Sequence, residues 1–474
     1  MKRIRIPRPA LLLVLCLALF GAGSPSASPE PLASLNGGWT QLKHLKGLSV
    51  FHLYLPGAKT LSLRFCVSSA SLYDASAPAL DRLLFSLMPV AGAAFDRQSL
   101  DTIKDGGGIM ISGQSGLDYS HLSIDATQHE AERAAAILSS LVQFPARDES
   151  LFQEIRTQII NELLWQDGQV YDALSRNLKK NILTNHPYGP FYALEAKNLS
   201  KIALADVLEH HRKIMTERNL FIVSCGPQTA REMEKIIWLN FPLAQNTANE
   251  SALTGAPLPA FPASPTGENT LRLFPHKAAG IPYLKAEYPA PGPGHPEYPA
   301  SLVMARVLSE MLMESVRTEQ GLVYSVWAAA AARRRAGNGE LVLYRCSDIQ
   351  AGVSAMRETI RRLRDGKPDG RLANAASGAE QARAFEEAVQ AAKNQITSAL
   401  AAQNITPRDR SQGFAGWYAA SGEMGGMDSL WEKVRAVRPE DVRALAKRNF
   451  ANMYWGITYD PDTLEEPTLN WKLD

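Results

Sequence analysis

The chain has 474 residues and a formal charge of +2, with 45% hydrophobic and 21% charged residues. This is ordinary globular composition, long enough for about two to four domains of roughly 100–200 residues each, and it excludes a disordered or fibrous chain. The near-balanced charge excludes the electrostatic footprint that a nucleic-acid-binding protein needs.

The N-terminus reads MKRIRIPRPALLLVLCLALFGAGSPSA. Lys2, Arg3, Arg5 and Arg8 precede an apolar run over 10–22, and small residues follow. This is the pattern of a secretory signal peptide over 1–27, cut near Ser26 or Ala27, and the run is too short to span a bilayer as an anchor. Leu15 stands before Cys16 where a lipoprotein signal requires a small residue. Removing 1–27 deletes four basic and no acidic residues and takes the charge to −2. No other stretch approaches the apolar length of a membrane helix. The expectation is a secreted, periplasmic chain with no membrane span in its mature part.

The first half opens with two strand-like runs, LSVFHLYL and TLSLRFCVSS. A helix is predicted over about 77–88, then a glycine-punctuated strand pair, GGGIMISGQSGLDYSHLSIDA. Apolar residues at helical spacing follow in QHEAERAAAILSSLVQF. Residues 244–269 contain Pro257, Pro259, Pro262 and Pro265 among small residues, the composition of an extended linker. Beyond it come a strand (IPYLKAEYP), a helix (SLVMARVLSEMLMESVR) and two strands (GLVYSVWAAAA and GELVLYRCS). Arg333, Arg334 and Arg335 fall between those strands and predict a solvated hairpin tip. Each half closes on a helix with an early Asp-Val, Asp206-Val207 or Asp441-Val442, followed by a strand. The fold expected is α+β, with two similar domains, each a mostly antiparallel sheet with helices packed on one face, joined by the Pro-rich linker. The expected boundaries are 40–243 and 270–474.

The side-chain inventory excludes most hydrolytic sites. No two of the nine histidines lie four apart, and His210 and His211 are adjacent, so they point to different sides of a helix and read as surface or packing residues. No G-x-S-x-G elbow, Walker A loop or dinucleotide fingerprint is present. The mature chain's Cys66, Cys225 and Cys346 are widely spaced in strand-like runs and read as buried free thiols, with one disulfide in an oxidising compartment as the alternative.

The layout and several local motifs resemble the pitrilysin/insulinase metallopeptidases, the inverted zincins, over about 45–460. ESVRTEQGLVYSV resembles that family's Arg-Glu-x-x-Gly-Leu-x-Tyr-Ser-Val segment, and NHPYGPF and LFQEIRTQIINEL resemble two others. Active members carry H-x-x-E-H, in which two histidines bind zinc and the glutamate activates the metal-bound water. PALDRLLF lies at the matching place, with Pro78 and Arg82 where the histidines belong and Asp81 where the glutamate belongs. Only Glu162, at the distal zinc ligand's position, survives. The resemblance therefore implies a vestigial site with no metal and no cofactor in this chain, and Arg82 close to Glu162 as a buried counter-charge. It also implies that Arg317 and Tyr324, seven apart, bind the substrate backbone and stabilise an oxyanion. On the residues alone, Arg317 equally suits a helix C-terminus and Tyr324 a packed strand position.

The reading is a zinc-less subunit of a secreted two-subunit metalloendopeptidase, inactive alone. Its partner is a homologous H-x-x-E-H subunit that carries the zinc, and its substrate a peptide or unfolded protein. The alternative is a catalytically inactive pseudo-peptidase that binds peptides or scaffolds a complex. No constellation supports an autonomous hydrolase.

Overall fold

The computed structural model describes residues 38–462, except 43–44, 46–47, 69–75, 216–219, 243–259, 263–269, 332, 335–336, 368–376, 427–428 and 452. The signal segment 1–27 and all of the linker but 260–262 lie outside the described residues.

Alternating apolar residues build two mixed sheets, one from each half. The first contains β1 (Thr40–Gln41), β2 (Ser49–Tyr54), β3 (Thr60–Ser68), β4 (Met110–Gln114), β5 (Tyr119–Thr127) and β6 (Leu220–Gly226), in the order β1-β2-β6-β3-β5-β4. The second contains β7 (Thr270–Pro275), β8 (Tyr283–Pro289), β9 (Val323–Ala331), β10 (Asn338–Cys346) and β11 (Tyr454–Tyr459), in the order β7-β11-β8-β10-β9. Without β1 the two orders correspond strand for strand. Each sheet has one parallel pair, β2 with β6 and β7 with β11, and its other pairs are antiparallel.

The shared Asp-Val has a local cause. Asp206 and Asp441 each reach back to accept the backbone N–H of the residue before their helix, from Ala203 at 2.8 Å and Arg438 at 3.0 Å. Such caps satisfy amide donors that a helix start leaves open. Each helix (Leu204–Ile214, Pro439–Asn449) then feeds a buried strand, β6 or β11. The glycines of KDGGGIM close a helix, Arg97–Gly107, that the apolar pattern does not announce.

On β3 and β5, Leu61, Leu63, Phe65, Leu122 and Ile124 face the helices of the first half, while Ser62, Arg64, Cys66, His121 and Asp125 alternate to the other face. Each half lends a helix to the other's sheet. Phe414, Ala415 and Ala419 of Pro407–Ser421 pack on Phe51, Cys66 and Val223 of the first sheet. Val170–Ile182 lies on the second sheet at Gly456, where an added Cβ would come 3.0 Å from Leu174 Cδ1.

That second contact carries a buried ionic network. Lys285 Nζ lies 2.7 Å from Glu340 Oε2 and 3.1 Å from Glu287 Oε1, and donates to Ser175 Oγ at 2.7 Å. Lys179 lies 3.3 Å from Glu287. Lys285 and Glu287 are 1% and 0% exposed; with Glu340 they compensate one another within the second sheet, and Ser175 and Lys179 of the first half complete the network.

The arginine hairpin differs from expectation. Arg333 and Arg334 are half-buried. Buried Asp118 accepts Arg334 N–H at 3.3 Å and the Tyr188 hydroxyl, which also contacts the Arg334 carbonyl. The tip is therefore clasped by the first half, and Tyr188 of NHPYGPF supplies part of the clasp. Arg335 is outside the described residues. Cys66, Cys225 and Cys346 are free and buried, and burial pushes the Cys225 and Cys346 thiols up to about 12 and 11.

Candidate functional site

The helix Ala77–Leu87 carries the residues that match the zinc motif, and Pro78 sits in its first turn, where a missing N–H costs nothing. Gly113 lets this helix settle on edge strand β4, since a Cβ there would fall 1.9 Å from the Phe85 carbonyl oxygen.

Asp81 and Arg82 point to different partners. Asp81 is 2% exposed; its Oδ1 accepts His210 Nε2 at 2.6 Å and its Oδ2 accepts Ser120 Oγ at 3.1 Å. This ties together three elements, Ala77–Leu87, Leu204–Ile214 and β5. His210 is thus a buried partner of the site, while His211 Nε2 donates to the Val142 carbonyl at 2.6 Å. The trio is not a hydrolytic triad. Serine and histidine both bind the carboxylate, whereas a nucleophilic serine must bind the histidine.

Arg82 Nη2 stands 2.9 Å from Glu162 Oε2, inside the approach expected of the two. The expected burial is corrected: their side chains are 24% and 52% exposed. Water therefore screens the pair, and it belongs with surface pairs worth about 0–1 kcal/mol rather than with buried ones. Arg82→Ala should shift the urea midpoint by no more than about 1 kcal/mol in equivalent stability. A larger loss would restore the buried-pair reading.

These residues do not fit zinc. Both histidine positions are lost, Asp81 is committed to His210 and Ser120, and a guanidinium occupies Glu162. Among the described residues no group of three or more His, Cys, Asp or Glu is placed to hold a metal ion. After dialysis against trace zinc, the mature chain should contain well below one zinc per chain by atomic emission. One tightly held zinc, lost in Glu162→Gln, would overturn this.

The second half places Arg317 and Tyr324 on either side of a turn. The long helix Tyr298–Leu312 runs into a π-helical turn, Met313–Thr318, in which Glu319 N–H bonds the Glu314 carbonyl at 2.9 Å. Such turns often sit at functional sites. Arg317 is half-buried; its Nη1 rests 3.7 Å from Met313 Sδ, and among the described residues no carboxylate lies within ion-pair range of it. Tyr324 is 68% exposed, and its ring lies 6.4 Å from that of Tyr344. Opposite Tyr324 the ladder skips a step: Val323 pairs with Cys346 and Ser325 with Tyr344, while Arg345 takes a left-handed φ of 57°. An arginine held there is strained, and such strain concentrates at functional positions. Tyr324 therefore lies in β9 with its ring in solvent and not packed in the core.

Residues 201–377 match the peptidase M16 inactive domain, a segment that runs from the helix Leu204–Ile214 through β10 and the helix Ile349–Asp365. Over that segment the chain is similar to the M16 inactive domain. None of the curated proteins compared with it matches. Solved structures share its fold. A protease from Helicobacter pylori superposes with a TM-score of 0.73 at 13% identity, covering 89% of this chain and 98% of that one. A peptidase M16 inactive domain from Pseudomonas fluorescens gives 0.72 at 16% identity, covering 91% and 99%. The periplasmic protease PqqL from Escherichia coli gives 0.66 at 14% identity, covering 95% of this chain and 49% of that one. The two-domain α+β fold is therefore that of M16-like peptidases.

Pattern reading missed three polar groups. His210 and Ser120 are far in sequence from Asp81. Lys285 and Glu287 stand two apart in a strand run, which puts both charges on one face and was a usable signal. Arg64 gave a similar one: a charge among apolar strand residues.

Proposed function

We propose that the chain is the zinc-less subunit of a secreted, periplasmic two-subunit metalloendopeptidase. Its homologous partner carries H-x-x-E-H and the zinc, and this chain supplies Arg317 and Tyr324 to a peptide or unfolded-protein substrate. The observation that carries the reading is the presentation of Tyr324 to solvent beside a strained Arg345, with Arg317 held by no carboxylate among the described residues. Both are donors free to meet a substrate carbonyl. The length relation to PqqL supports it: this chain aligns with about half of a periplasmic protease. Edge strand β4 also offers open backbone groups to an extended peptide. No helix among the described residues is long and apolar enough to cross a membrane.

The second reading is a pseudo-peptidase that binds peptides without cleaving them. The Arg82–Glu162 pair and the Asp81–His210–Ser120 trio favour it, because the residues at the motif's positions are engaged with other protein side chains. Co-purification of the native protein decides between them. The first reading expects a stoichiometric H-x-x-E-H partner, with peptidase activity that needs both chains. Full activity of the partner alone would overturn it.

A further inference from the structure

We propose that Arg64 anchors a binding site for a small monovalent anion, best matched by a carboxylate, between the first sheet and the helix Pro407–Ser421. Arg64 sits in the middle of β3 on the face turned to that helix and is 2% exposed. Its Nε donates to Ser411 Oγ at 2.9 Å. Among the described residues its Nη1 and Nη2 have no hydrogen-bond acceptor, and no carboxylate lies within ion-pair range. A buried charge without a counter-charge is costly, so native arginines in this position are ordinarily paired.

The surroundings fit an anion. Ser62 Oγ lies 2.7 Å from Ser411 Oγ, so two hydroxyls flank the guanidinium. Arg408 approaches from the first turn of the helix and lies 3.3 Å from Asp125, the acid two residues along from the strand partner of Arg64. Arg408 and Asp125 pair with each other, which leaves the charge of Arg64 without an ion pair among the described residues. His121, on the same face and 6% exposed, does not add to it: burial, then Arg64 and Arg408, push its pKa down to about 3, so it is neutral at pH 7. With Nε taken by Ser411, the two Nη groups remain as an end-on fork, whose spacing matches the two oxygens of a carboxylate.

The test is thermal melting of the mature chain in a low-salt Tris–Hepes buffer. Sodium acetate, sodium chloride and sodium phosphate are titrated separately, with sodium Hepes matching ionic strength. Acetate is expected to raise the melting temperature saturably, by about 3 °C near saturation. Arg64→Met, close in volume and apolar, should melt no lower than wild type without acetate and should lose the acetate response, an affinity loss of at least about tenfold. Should Arg64→Met fail to fold, Arg408→Gln at the exposed rim gives the second reading and should weaken acetate binding. No saturable response of wild type to any of the three anions overturns the site. A response to chloride or phosphate without acetate overturns the carboxylate assignment. An acetate response unchanged in Arg64→Met or Arg408→Gln overturns the role of these arginines.

Discussion

Tyr324→Phe should cut the turnover of the assembled complex by about 10²–10³, with assembly and the partner's zinc content unchanged. The expectation rests on the proposed role of its hydroxyl. One preorganised donor aimed at a developing oxyanion is typically worth that factor, because it strengthens as charge builds in the transition state. The loss should therefore appear in kcat and in kcat/KM alike. Arg317→Ala should do similar or greater damage, with part of it in KM through substrate binding. Pro78→Ala and Arg82→Ala should leave turnover nearly intact, because in the proposed complex the zinc chemistry belongs to the partner. Steady-state kinetics on the reconstituted complex checks all four variants. Full turnover of Tyr324→Phe, in a complex that needs this chain, would end the proposal for that residue.

Lys285→Met should destabilise the folded chain by about 3–5 kcal/mol, since it leaves Glu287 fully buried and Glu340 without its nearest cation. The same network makes stability depend on pH. Burial alone would raise the Glu340 pKa, but Lys285 and Lys179 outweigh it and hold the carboxyl at about 2. A carboxyl depressed on folding contributes stability above its unfolded pKa of roughly 4.5, and the contribution is lost as pH falls through about 2. Lys285 works in the other direction. Despite its burial, Glu287 and Glu340 hold it well above the ordinary lysine range, so its contribution is complete at neutral pH and is lost only at strongly alkaline pH. Urea unfolding of wild type should therefore lose stability progressively between about pH 4.5 and 2, and Lys285→Met should lose less over that window. A variant within about 1 kcal/mol of wild type at pH 7, with the same acid profile, would show that the network carries no net stability.

The histidines and arginines separate what the chain order reveals from what it hides. Pro78, Asp81 and Arg82 are legible as replacements because the zinc motif is local: its residues fall on one helical turn, so their substitution can be read in a few letters. Their new partners are not legible. Asp81 meets His210 from a helix about 130 residues away and Ser120 from β5, and no periodicity brings those three together. The arginine hairpin misleads for the same reason. Charged residues between two strands are normally solvated, and only Asp118 and Tyr188 of the other half turn this tip into a clasp.

The sequence by itself determined the alternating strands, the periodic helices, the repeated Asp-Val caps and the absence of a zinc motif, because each depends on residues a few positions apart. Tertiary structure decided the rest. It put Tyr324 in solvent, left Arg82 and Glu162 partly hydrated, sent each half's helix across to the other's sheet, and buried Lys285 and Arg64 between them. Those outcomes depend on which face of a strand meets which distant helix. A period-two pattern states only that the faces differ, and the packing of the two halves determines what covers each one.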